Sequence, residues 1–196
     1  RGSVVEAVSP GILAAEEAIA VIRQTCSDYS GPYPCYTSLS AWEAAYGGLP
    51  NGDLVSQDKI AVARIEGTWT QADTTRVEIN GWTTDADHYI RIYTTPEARH
   101  NGAAGSGYRL TSTESSALFY VTVAYLRVEG LEFYAASTST SAVIYLRPNT
   151  AEGVGEIHFS HNLIHGNRTA TGHGLHNYDC RGVVKVWNNI IYDVGV

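Results

Sequence analysis

The stretches GEIHFSHNLIHGN (155–167) and VVKVWNNIIYDV (183–194) carry one pattern 27 residues apart. In each, a polar residue sits between two apolar ones (Ile157-His158-Phe159, then Val184-Lys185-Val186), and an Asn followed by two apolar residues comes next (Asn162-Leu163-Ile164, then Asn189-Ile190-Ile191). Period-2 alternation of this kind is the mark of a half-buried strand. The same triplet stands at Leu126-Arg127-Val128 and Ile90-Arg91-Ile92, so the central residues Arg91, Arg127, His158 and Lys185 lie 36, 31 and 27 residues apart. An imperfect repeat of this length, built from short strands, predicts a parallel β-solenoid in which equivalent residues stack in columns and the apolar ones fill a shared core.

Outward from these repeats, everything after about residue 57 reads as short β-branched runs separated by Gly, Asn, Asp, Ser or Thr. KIAVARI, TRVEI, HYIRIY, LFYVTVAYLRVEGLEF and SAVIYLR are examples. A β-sandwich is the rival, but the hairpin signals Asn51-Gly52, Asn80-Gly81 and Asn101-Gly102 do not recur with the strand period. Asn162 and Asn189 are placed to form an amide ladder between coils. Ahead of the repeats, a helix is expected from Pro10 to about Gln24, with Ser9 as N-cap and Ile12, Ala15, Ile19 and Ile22 on one stripe. A second helix is expected over Ser40–Tyr46, with Ser40 and Glu43 as a capping box and Gly47 as its end. The expected organisation is an N-terminal arm, helix and cap over 1–56, followed by the β region over 57–196.

The 196 residues suit one domain, and 44% hydrophobic against 17% charged residues excludes a disordered chain. A net charge of −7 argues against a general nucleic-acid binder, whose phosphate contacts need a basic surface. No apolar run is long enough to span a bilayer. Arg1 at the start and the lack of any Met predict a processed or truncated chain. Cys26 and Cys35 bracket a turn-rich loop, which reads as a disulfide in an oxidising compartment or as two buried thiols; Cys180 reads as a small core residue. Asn167-Arg168-Thr169 fits the N-glycosylation pattern. The expected location is therefore secreted, extracellular or at a cell surface.

The segments YLRVEGLEF, EIHFSHNLIHGN and VVKVWNNIIYDV resemble the repeats of right-handed parallel β-helix proteins of the pectin-lyase-like superfamily. YTSLSAWEAAYGG resembles the segment that caps the first coil there, and INGWTTDADHYIRIYTTPEARHNG is similar to a block in secreted or virion-associated β-helix proteins. The resemblance spans about residues 36–196 and implies an all-β, right-handed parallel β-helix with a short helical N-terminal cap. It implies no single activity, because such folds serve lyases, hydrolases, tailspikes, adhesins and inert fibres alike.

The chemistry such enzymes need is not evident. Asp179, Arg181 and Lys185 lack a stacked acidic cluster, Gly172-His173-Gly174 lacks the aspartates that should precede it, and no catalytic residue, metal site or cofactor is assigned. Asp85 and Asp87 would share one face of an extended strand, with His88 on the other, or serve as turn residues. His158, His161, His165, His173 and His176 crowd into 19 positions without a zinc spacing and read as surface or turn residues. If the columns hold, Arg91, Arg127, His158 and Lys185 form an outward basic stripe, able to meet an acidic glycan or a neighbouring subunit, with Tyr93 and Trp187 as rings that could stack on sugars. The strong strand near Val196 lacks a closing cap, and Val4–Val8 is a β-prone arm. End-to-end self-association through that arm and the C-terminal coil into a filament, surface layer or virion fibre is the leading expectation, and a carbohydrate-binding or polysaccharide-degrading protein is the alternative.

Overall fold

A computed structural model of the chain describes residues 14–47, 51–137, 142–167 and 172–195. Its elements run β1 (Glu16–Ile22), β2 (Cys35–Tyr36), α1 (Leu39–Tyr46), α2 (Leu54–Gln57), β3 (Lys59–Ile65), β4 (Val77–Ile79), β5 (Ile90–Thr94), β6 (Arg109–Ser112) and β7 (Phe119–Val121). They continue as β8 (Tyr125–Glu129), β9 (Glu132–Ala135), β10 (Ile144–Leu146), β11 (Glu156–Ser160), β12 (Leu163–His165), β13 (Leu175–Asn177), β14 (Val183–Trp187) and β15 (Ile190–Tyr192). All strand pairing is parallel. A first sheet has the order β14-β11-β8-β5-β3-β1-β2, a second β13-β10-β7-β4, and a third β15-β12-β9-β6.

From β5 onward the chain visits the first, third and second sheets in fixed rotation, and each circuit lies in register on the one before. Ile92, Val128, Phe159 and Val186 form one file, and Ile90, Leu126, Ile157 and Val184 another. Alternation sends these residues inward, and the intervening polar ones outward. Rings from all three sheets meet in the middle, where Phe119 lies 5.3 Å from Phe133 and 6.4 Å from Phe159. The turns after β8, β11 and β14 each place a left-handed residue directly after the strand, filled by Gly130, His161 and Asn188 in successive circuits. A Cβ on Gly130 would also collide with Thr94 and Arg99, so glycine is required there twice over.

The expected helix over Pro10–Gln24 is not formed. Residues 1–13 lie outside the described structure, and Glu16–Ile22 is β1, held between β3 and β2 with Ala20, Val21 and Ile22 buried. Three of the seven positions are β-branched (Ile19, Val21, Ile22), and pairing on both edges outweighs a helical stripe that only four residues supported. The second helix forms, but Ser38 rather than Ser40 is its N-cap, accepting from Ala41 N at 3.0 Å. Glu43 is no part of a capping box; its carboxylate accepts from Asn80 N and Trp82 Nε1.

Together α1, β2 and the Cys26–Cys35 disulfide close one pole of the stack, burying Leu39 and Trp42. Asp73 pins this closure: it accepts from Leu39 N at 2.9 Å and from the Tyr108 hydroxyl at 3.0 Å. Burial raises the Asp73 pKa against the opposing pull of these hydrogen bonds.

Candidate functional site

The outer face of the first sheet carries cations, carboxylates and aromatic rings side by side. Register places Arg91 beside Arg127, Arg127 beside His158 and His158 beside Lys185, in one outward file. Strands in such a sheet are about 4.8 Å apart, so neighbouring side chains are within contact distance. Arg91 Nη1 lies 3.5 Å from Glu17 Oε1, and its guanidinium sits 4.5 Å from the Tyr93 ring. Lys185 Nζ donates to Glu156 Oε2 at 2.8 Å. His158 Nε2 is 2.6 Å from Glu156 Oε1 but lacks the alignment of a hydrogen bond. Its ring meets Trp187 edge-on at 5.4 Å.

These neighbours change the electrostatics that the bare file of cations suggests. Burial holds the His158 pKa below its usual value despite the nearby carboxylate. The Lys185 hydrogen bond, helped by His158, pulls the Glu156 carboxyl down. With Arg91 and Lys185 each beside a carboxylate, Arg127 is the cation of the file that forms no ion pair among the described residues. Its guanidinium carbon instead lies 3.6 Å from the centre of the Tyr89 ring.

Three recesses adjoin this Arg127–Tyr89 stack. The two larger ones are of about 350 Å³, lined by Arg91, Glu129, His158 and Trp187, and of about 300 Å³, lined by Asp58, Ala86, His88 and Asp87; the smallest, of about 90 Å³, lies against Tyr125 and Glu156. The lane therefore offers one uncompensated cation, flat aromatic faces and flanking carboxylates. That combination suits a polyhydroxylated ligand bearing scattered negative charge. Tyr89 and Glu17 escaped the sequence reading because neither belongs to the repeated triplet; they reach the file only through side-chain contacts, Tyr89 beneath Arg127 and Glu17 reaching from β1 to Arg91.

The other predicted residues are scattered. Asp85 and Asp87 lie in a turn, not on a strand: Asp85 Oδ1 accepts from Asp87 N, His88 N and the His88 ring. The other His88 nitrogen meets Asp58 Oδ1 at 3.0 Å, so the imidazole clasps two turns. His165 is buried in the third sheet against the fully buried Glu132 at 2.9 Å, and stacks between Tyr134 and Tyr192. His173 and His176 lie together on the second sheet's side, 4.7 Å apart, and His161 is exposed at its turn. The histidines are thus dispersed over the three sheets and a turn, and His165 is a buried residue rather than the surface or turn residue expected. Among the described residues no group of three or more His, Cys, Asp or Glu is arranged to hold a metal, and no helix is long and apolar enough to cross a membrane.

Asn162 and Asn189 stack as a ladder, Asn162 Nδ2 donating to Asn189 Oδ1 at 3.0 Å, and Cys180 is a buried free thiol in the core. Asn167 is half-buried, with Nδ2 donating to Ala136 O at 3.2 Å; the rest of its triplet falls outside the described residues. Comparison with protein-family models, curated proteins and solved structures gives no match.

Proposed function

We propose that the chain is a secreted right-handed parallel β-helix, akin to the pectin-lyase-like superfamily and capped at one pole by α1 and the disulfide loop. It works without turnover, as a subunit of an extracellular filament, surface layer or virion fibre that grows end to end. The observation that carries this reading is the in-register parallel stacking of successive circuits, each laid on the one before. Val186, Ile190 and Ile191 are 45%, 47% and 44% exposed, whereas their register partners Phe159, Leu163 and Ile164 are fully buried. The strands β13, β14 and β15 are the outer edges of all three sheets. Such a surface is a template for another β layer. The opposite pole is closed differently, so a contact between the two is heterologous and propagates. The disulfide and the Asn167 triplet suit an oxidising compartment. Sedimentation velocity and negative-stain imaging test the proposal: filaments that lengthen with concentration are expected, and a monomer at every concentration refutes it.

A second reading is favoured by Arg127. A cation on an aromatic ring, among three recesses, supports a carbohydrate-binding face or a polysaccharide-degrading, pectate-lyase-like site for an acidic glycan. Calorimetry with an acidic oligosaccharide should show binding that Arg127→Ala weakens about ten-fold, the scale of one charge-assisted contact. Release of shortened products from the polymer would decide for the enzyme over the binding module.

A further inference from the structure

We propose, resting on the carbohydrate-binding reading of the first sheet's outer face, that Arg127 takes a single carboxylate and that the ligand's units on either side of it are uncharged. The ligand class is then a mixed polysaccharide with isolated acidic units, not a polymer charged at every unit.

The way Arg127 is held decides how it can bind. Its guanidinium carbon lies 3.6 Å from the centre of the Tyr89 ring, and any large tilt at that separation would drive a nitrogen into the ring, so the group lies flat on it. A guanidinium donates in its own plane, so stacking one face leaves the N–H fork open. Among the described residues no carboxylate fills that fork. A planar carboxylate matches it with two parallel hydrogen bonds. Tyr89 and Arg127 line all three recesses, which places the fork where they meet.

The surroundings decide how many charges the ligand can carry. Every recess holds a carboxylate: Glu129 in the largest, Asp58 and Asp87 in the next, Glu156 in the smallest. Arg99 meets Glu129 at 2.7 Å, Lys185 meets Glu156 at 2.8 Å and His88 meets Asp58 at 3.0 Å, so these cations are already engaged. Arg91 is likewise beside Glu17, and Asp87 is exposed with no ion pair among the described residues. Arg127 is the cation left for a ligand. A second negative charge one unit away would enter a recess that offers it a carboxylate and no open cation, and like charges brought together exclude a partner. The rings of Tyr125 and Trp187 at the recess walls suit uncharged sugar faces instead.

The test is calorimetry on the full chain at fixed ionic strength with three probes. Oligogalacturonate is charged at every unit, hyaluronan oligosaccharides alternate a uronate with an uncharged N-acetylated sugar, and chitin oligosaccharides are uncharged throughout. Hyaluronan oligosaccharides should bind about ten-fold more tightly than oligogalacturonate, the scale of one partly screened like-charge contact, and chitin oligosaccharides more weakly than either. Asp87→Asn should narrow the ten-fold gap to about three-fold by removing one repelling carboxylate. Arg127→Lys keeps the charge but loses the planar fork, and should weaken hyaluronan binding about five-fold. Oligogalacturonate binding as tightly as hyaluronan overturns the isolated-charge ligand and leaves the acidic-glycan reading standing. A gap that Asp87→Asn leaves untouched overturns the exclusion assigned to the recess carboxylates. Chitin oligosaccharides binding as tightly as hyaluronan overturn the carboxylate at Arg127, and binding by none of the three overturns the carbohydrate-binding reading as well.

Discussion

Asn162 is fully buried, yet every polar atom of its amide is used. Its Oδ1 accepts from Leu131 N at 2.9 Å, and its Nδ2 donates to Val128 O at 3.2 Å and to Asn189 Oδ1 at 3.0 Å, so three circuits are tied through one side chain. Asn162→Ala strands these buried groups and should cost about 2–4 kcal/mol in urea unfolding, more than a surface substitution could. This residue was legible because a ladder must repeat at the coil spacing, and Asn189 follows at 27. The His88 clasp was not, because its partners sit in turns whose geometry no periodicity encodes. The Asp58 hydrogen bond, joined by Asp85, raises the His88 pKa. With the folded value above the unfolded one of about 6.5, the clasp contributes fully below that pH and its contribution is lost as pH rises through the folded value. An NMR titration of His88 should show the raised midpoint, and Asp58→Asn should lower it.

Among the elements, most strands after residue 57 were readable because they carry their own alternation, whereas β1 was not. EEAIAVI has only a short apolar run, which suits a helix or a strand until a partner is known, and its partners β2 and β3 arrive 13 and 37 residues later. β6 and β13 were missed for a similar reason: YRLTS and GLHN have too few apolar residues to mark a strand without neighbours on either side. The strand β2 is two residues long and is held by the disulfide as much as by its pairing with Val21 and Ile22. The loop between the cysteines lays Tyr29 and Tyr33 over Arg23 and Arg64, at 5.6 Å and 5.1 Å. Replacing both Cys26 and Cys35 by Ser should cost about 2–3 kcal/mol, from the freed chain entropy of a short loop. The loss should appear as faster amide exchange in β1 and β2, with β8 and β11 unaffected.

For the whole molecule, stability is set by what lies on either side of each circuit. A stack in which circuits touch only their neighbours behaves as a one-dimensional series, with terms for each circuit and each interface. The middle circuits are covered twice, the β1 pole is closed by α1, and the last circuit is covered once. Amide exchange should therefore be slowest in β5, β8 and β11 and fastest in β13–β15. Phe159 is the sharpest probe of this gradient. It is fully buried, packs on Phe119, and is the register partner through which Val186 meets the core. Phe159→Ala should remove about 3–5 kcal/mol from the interface beneath the last circuit. If the series description holds, that loss falls on β14 and β15, which exchange at near-unfolded rates while β1 and β3 keep their protection. A uniform loss across all three sheets would instead mean that the circuits unfold as one cooperative unit. In that case the outer edge could not open or close independently of the core, and growth at that edge would have to couple to global stability.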